Sequence, residues 1–158
     1  VGIRICETIT NTTVRNVTGT AIADTTVATN RSALLENVVI QNVGRGFAPQ
    51  GANNRGAGSE ITVRNITITH VQGNCVAIND PDVDTLHVEN GVFVDYGLNT
   101  ALPGSERAAF GGRHGFRGKV LNLTNATFTA NAPQHSTIQV VVDENHNKTV
   151  NRHRPGRQ

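Results

Sequence analysis

Methionine and tryptophan are absent from this 158-residue chain, tyrosine occurs once, and aromatic residues make up only 4% of it. A carbohydrate-binding module that stacks sugar rings on aromatic faces therefore has almost nothing to be built from. No apolar run approaches the ~20 residues that a membrane-spanning helix requires, so no membrane partner is expected. Leucine-rich and alanine-rich helical stretches are missing as well. The chain begins at Val1 with neither a basic n-region nor an apolar h-region, and is expected to be a processed mature protein or a fragment.

Charge of one sign is also scarce. Fourteen Lys and Arg against twelve Asp and Glu give a net +2, and the basic residues are scattered rather than aligned on one face, which argues against nucleic acid. The six histidines show no H-x-H or H-x-x-x-H spacing, so no metal centre is expected from them. No phosphate-binding loop, dinucleotide fingerprint, G-x-S-x-G or C-x-x-C occurs, which removes nucleotide, flavin and serine-hydrolase chemistry. The two cysteines, Cys6 and Cys75, either form one disulfide or remain two thiols, and the expectation leans to thiols.

What the chain does contain is Gly, Asn, Thr and Val, a composition of strands and tight turns. Val14-Arg15-Asn16, Leu35-Glu36-Asn37, Val63-Arg64-Asn65, Val88-Glu89-Asn90 and Leu123-Thr124-Asn125 repeat an apolar-polar-Asn unit. Their asparagines lie 21, 28, 25 and 35 residues apart, an irregular period suited to a solenoid with insertions. Apolar or small residues stand two and four positions before Asn37, Asn65, Asn90 and Asn125, and mostly one and three after them. The alternation changes phase at the Asn, so the backbone must bend there. Asparagine tolerates the left-handed conformation such a bend requires. A second bend is expected at Gly44, Gly73 and Gly97, followed by a third short strand.

Three strands per turn, each pairing in parallel with its equivalent in the next turn, make an all-β, right-handed parallel β-helix of about five coils. Asn16, Asn37, Asn65, Asn90 and Asn125 should then form one turn ladder, about 4.8 Å apart per coil. Residues 1–143 form the single domain and 144–158 a basic tail that would be disordered alone. Residues 49–60 and 99–119 are expected to be Gly-rich loop insertions. The competing architecture is an antiparallel sandwich or jelly roll.

The V-x-N-[IV]-x-[IV] units, of which Val63-Arg64-Asn65-Ile66-Thr67-Ile68 is the clearest, resemble the pectin-lyase-like superfamily over residues 10–130. That superfamily includes pectate lyases, polygalacturonases and phage tailspikes, and the resemblance implies the fold rather than an activity. Gly73-Asn74-Cys75-Val76-Ala77-Ile78 looks like the polygalacturonase segment in which two aspartates precede Cys-Val-Ala-Ile. Those aspartates would be the acid and base of an inverting hydrolysis, and Gly73 and Asn74 stand in their places. Arg113-His114-Gly115 echoes the family's Gly-His-Gly with its first glycine replaced.

Asp80, Asp82 and Asp84 form the one carboxylate cluster and, with Arg117, are the weak catalytic candidates, in a lyase arrangement where calcium would be the cofactor. The cluster lacks the Gly and Glu of an EF-hand loop, and an acidic inter-coil turn is the plainer reading. Of seven N-x-[ST] sequons, Asn11, Asn30 and Asn147 are the glycosylation candidates, because turn asparagines beside threonine create the motif automatically. These features point to a non-catalytic structural or glycan-contacting subunit of an extracellular filament or virus or phage appendage, secreted or at a virion surface. Its expected partners are copies of itself or neighbouring subunits and, beyond those, polysaccharide. The alternative is a lyase or hydrolase acting on acidic polysaccharide.

Overall fold

The computed structural model describes residues 3–4, 8–23, 32–48, 60–78, 85–113, 120–130 and 149–153. Among these residues nine strands follow in chain order: β1 (Ile3–Arg4), β2 (Thr8–Ala23), β3 (Ser32–Ala48), β4 (Glu60–Val71), β5 (Val76–Ala77), β6 (Thr85–Val94), β7 (Phe110–Gly111), β8 (Val120–Thr129) and β9 (Thr149–His153). The one helical element among the described residues is a 3-10 turn, Gly104–Glu106. The strands form one sheet in the order β1-β2-β3-β4-β6-β8-β9, with β5 pairing β3 and β7. Every pairing among the described residues is parallel. The antiparallel sandwich is thereby excluded: the chain is an all-β protein with a curled sheet of parallel strands around one core.

The curl comes from the backbone at single residues. Asn37, Asn65, Asn90 and Asn125 have φ between 54° and 56° or slightly below, at 55°, 52°, 56° and 54° respectively. At each, the inward set of side chains changes phase. In β3, Ala33, Leu35, Val38, Ile40 and Val43 are buried while Asn37 and Asn42 are exposed. The parallel register then stacks like on like. Leu35, Val63, Val88 and Leu123 form one column, and Ile40, Ile68, Phe93 and Phe128 another. Each buried Val, Leu or Ile contributes roughly 1.5–3 kcal/mol from removal of its apolar surface from water.

The second bend differs from the sequence expectation. It falls at Asn42, His70 and Asp95, all at φ 55° or 56°, five residues after the first bend rather than at Gly44 or Gly73. Gly97 is also left-handed, at φ 65°. Gly44 serves close stacking instead: a Cβ there would lie 2.2 Å from the Thr18 carbonyl oxygen. Gly91 makes room for an aromatic cluster, because a Cβ at that inward position would come within 2.7 Å of the Phe93 ring. Phe93 stacks on Phe128 at 5.2 Å and meets Phe110 edge-on at 5.1 Å.

One further expectation is corrected. Of the segment 99–119, the described part, 99–113, is not simply an external loop, since Ala108, Ala109 and Phe110 are fully buried and Phe110–Gly111 is a strand of the sheet. Within the basic tail, the described residues Thr149–His153 pair in parallel with β8 of the same chain. Those strand bonds satisfy backbone groups that an isolated polar segment would leave to water.

Candidate functional site

The two bends align into two rows of exposed side chains running across the strands. In the first, Asn37 donates its Nδ2 to Oδ1 of Asn11 at 3.0 Å, Asn65 to Asn37 at 3.2 Å, Asn90 to Asn65 at 3.1 Å and Asn125 to Asn90 at 2.9 Å. Asn16, expected in this row, is not in it. The register sets Val14 beside Ile40 and Thr12 beside Val38, which puts Asn11 beneath Asn37 and Asn16 beneath Asn42. Asn16 therefore belongs to the second row, where it accepts from Asn42 Nδ2 at 2.8 Å. That row continues as His70 and Asp95, two residue types that also tolerate positive φ but build no amide ladder.

The glycosylation candidate Asn11 is thus the lowest rung of the first row, while Asn30 and Asn147 lie outside the described residues. The weak catalytic candidates Asp80, Asp82, Asp84 and Arg117 also lie outside them, as do Cys6 and His114. Cys75 is an unbonded, fully buried thiol, and burial pushes its pKa well above the ordinary value.

Asn74, one of the two residues standing where the resembling hydrolases carry aspartate, is fully buried. Its Nδ2 donates to the carbonyl oxygens of Ser105 at 3.0 Å and Ala108 at 2.6 Å, so it clamps the 104–108 segment onto the sheet. Arg107 is equally concealed and donates from Nε to the Gly97 carbonyl at 2.8 Å. Tyr96 lies nearby in the core, and desolvation, with a smaller contribution from Cys75, raises its phenol to about 12. Sequence reading missed Arg107 and Tyr96 as core polar groups because neither sits in a strand repeat.

The outer face carries a charged column. Arg64 donates from Nε to Glu89 at 2.6 Å and from Nη1 to Glu36 at 3.0 Å, and the hydrogen bond to Glu89 does most to raise its pKa. Beside it, Asn122 Nδ2 lies 3.0 Å from His87 Nδ1, while His87 Nε2 faces Glu60 at 3.9 Å. The guanidinium thus stands between the two carboxylates and binds one oxygen of each. Among the described residues no group of three metal-ligating side chains converges.

A groove of about 310 Å³ opens at the second row, lined by Asn16, Val17, Thr18, Asn42, Val43, Gly44 and Gln72. Its origin is a bulge. The β2–β3 register runs from Val17↔Val43 to Thr20↔Arg45, so Thr18 and Gly19 together oppose Gly44. Bulges of this kind bend a strand and re-aim its side chains. The five-residue interval from Asn11 to Asn16 and from Asn37 to Asn42 is the sequence signal that would have found this row.

No family model matches the chain, and no curated protein or solved structure matches it either.

Proposed function

We propose that the curled sheet is a right-handed parallel β-helix of about five coils, related in architecture to the pectin-lyase-like superfamily. Right-handedness follows from the strong preference of parallel crossovers for that hand. It serves as a non-catalytic, structural or glycan-contacting part of an extracellular filament or a virus or phage appendage, with copies of itself or neighbouring subunits as partners. The observation that carries this reading is Asn74. At the position where the resembling hydrolases need a solvent-facing carboxylate, this chain has a buried amide bound to two backbone carbonyls. An amide with both protons committed to structure neither gives nor takes a proton in a hydrolysis. The exposed rows and the paired Glu36–Arg64–Glu89 column suit a surface that holds its shape rather than one that turns over substrate.

The test is incubation of the chain with a panel of acidic and neutral polysaccharides, followed by reducing-end and unsaturated-uronate measurement. The expected outcome is no product above background with any of them, calcium added or not. New reducing ends or uronate absorbance would replace this reading with a hydrolase or lyase.

A further inference from the structure

We propose that Asn90–Gly91 is a site of spontaneous self-modification, where the side-chain amide converts through a succinimide to aspartate or isoaspartate, and that the asparagine ladder holds it shut in the folded chain. Asn90 is the only asparagine of the sequence followed by glycine. The other first-row asparagines precede Thr12, Val38, Ile66 and Ala126, whose side chains hinder attack by their own backbone nitrogen. Two separate demands of the fold create the exception. Position 90 must accept a φ of 56° and continue the ladder, and asparagine does both. Position 91 faces the core, where a Cβ would lie 2.7 Å from the Phe93 ring and 2.9 Å from Val88 Cγ1, so glycine is the residue that fits without moving either.

The chemistry needs only water and base. The Gly91 amide nitrogen loses its proton and attacks Asn90 Cγ; the new N–C bond closes a five-membered ring, the Cγ–Nδ2 bond breaks, and ammonia leaves. Water then opens one of the two ring carbonyls. One opening gives aspartate, and the other moves the peptide bond onto the side-chain carboxyl as isoaspartate. The fold obstructs the first step twice. Gly91 is buried within β6, in register between Ile66 and Ala126, so base from solvent does not reach its N–H. The Asn90 amide is gripped at both ends, with Nδ2 donating to Asn65 Oδ1 at 3.1 Å and Oδ1 accepting from Asn125 Nδ2 at 2.9 Å. Turning Cγ towards the Gly91 nitrogen breaks both bonds. Opening of β6 removes both obstacles, and either product then disfavours return. Asn65 Oδ1 would face a carboxylate oxygen with no proton between them, and isoaspartate lengthens the backbone just before Phe93. An unfolding excursion is thereby made irreversible.

The experiment keeps the folded chain, and the chain held unfolded in guanidinium chloride, in the same warm, mildly alkaline buffer. Conversion is located by peptide mass mapping and isoaspartate detection. Asn65→Gly and Asn125→Gly each remove one of the bonds gripping the Asn90 amide while accepting positive φ, and thermal melting identifies those that are folded. Conversion at Asn90 about tenfold or more slower in the folded than in the unfolded chain, and several times faster in a folded variant than in the folded parent, supports the proposal. Equal rates in the folded and unfolded chain overturn it, whatever the variants do. So does conversion in the unfolded chain that is no faster at Asn90 than at the other asparagines. A folded variant that converts at the parent's rate overturns the ladder as the restraint.

Discussion

The two bend rows use the same backbone conformation and different chemistry. The first is asparagine on all five strands it crosses, from Asn11 to Asn125, each bonded to the next. The second runs Asn16, Asn42, His70, Asp95, with a single amide bond between its first two members. Positive φ alone is therefore satisfied by several residue types, and an unbroken ladder is an addition to it. The first row bonds each amide to the next, whereas the second has such a bond only between Asn16 and Asn42 and borders a groove.

The most severe way to break the comparison is Asn65→Val, in the middle of the first row. A β-branched side chain is strained at φ 52°, and bonds to Asn37 and Asn90 are lost together. A destabilisation of about 3–4 kcal/mol is expected from urea unfolding, combining left-handed strain with two hydrogen bonds. A loss below ~1 kcal/mol would show that the ladder contributes little.

A paired measurement separates the ladder from the conformation. Glycine accepts positive φ freely, so Asn65→Gly removes only ladder bonds and should cost about 1–2 kcal/mol. His70→Gly, at the equivalent place in the second row, should change stability by no more than about 0.5 kcal/mol, because no hydrogen bond there is lost. Equal costs at the two sites would erase the distinction between the rows.

The smallest effect probes the core behind the second row. Cys75 and Tyr96 both have raised pKa values in the folded chain, Tyr96 at about 12. The unfolded chain releases these protons earlier, from about pH 9 for the thiol and about pH 10 for the phenol. Stability from these groups is therefore complete below pH 9 and declines as pH rises towards 12, where the unfolded state binds fewer protons than the folded one. Unfolding midpoints between pH 8 and pH 11 should fall, and Tyr96→Phe should flatten the part of the slope above pH 10. An unchanged slope would place the phenol in contact with water.

Much of this was legible in the sequence because strand alternation is local: the change of phase around Asn37, Asn65, Asn90 and Asn125 needs only the residues on either side. Ladder membership was not local. Asn16 and Asn11 both precede β-forming residues, and only the register of β2 against β3 assigns Asn11 to the first row and Asn16 to the second. The second bend was misplaced onto glycines for a related reason, since glycine at 44 answers to a carbonyl on a neighbouring strand rather than to its own dihedral angle.

By itself, then, the sequence determined the all-β class, most of the inward-facing residues and the first-row bends at Asn37, Asn65, Asn90 and Asn125, all consequences of side-chain periodicity and of what asparagine's backbone tolerates. Tertiary structure alone decided the rest. It buried Asn74 beneath the 104–108 segment and Arg107 within that segment, drew Phe110 into the aromatic cluster and opened the groove beside Asn42. Each of these depends on which residues of distant strands are set one above another, and that is fixed by the register of the whole sheet.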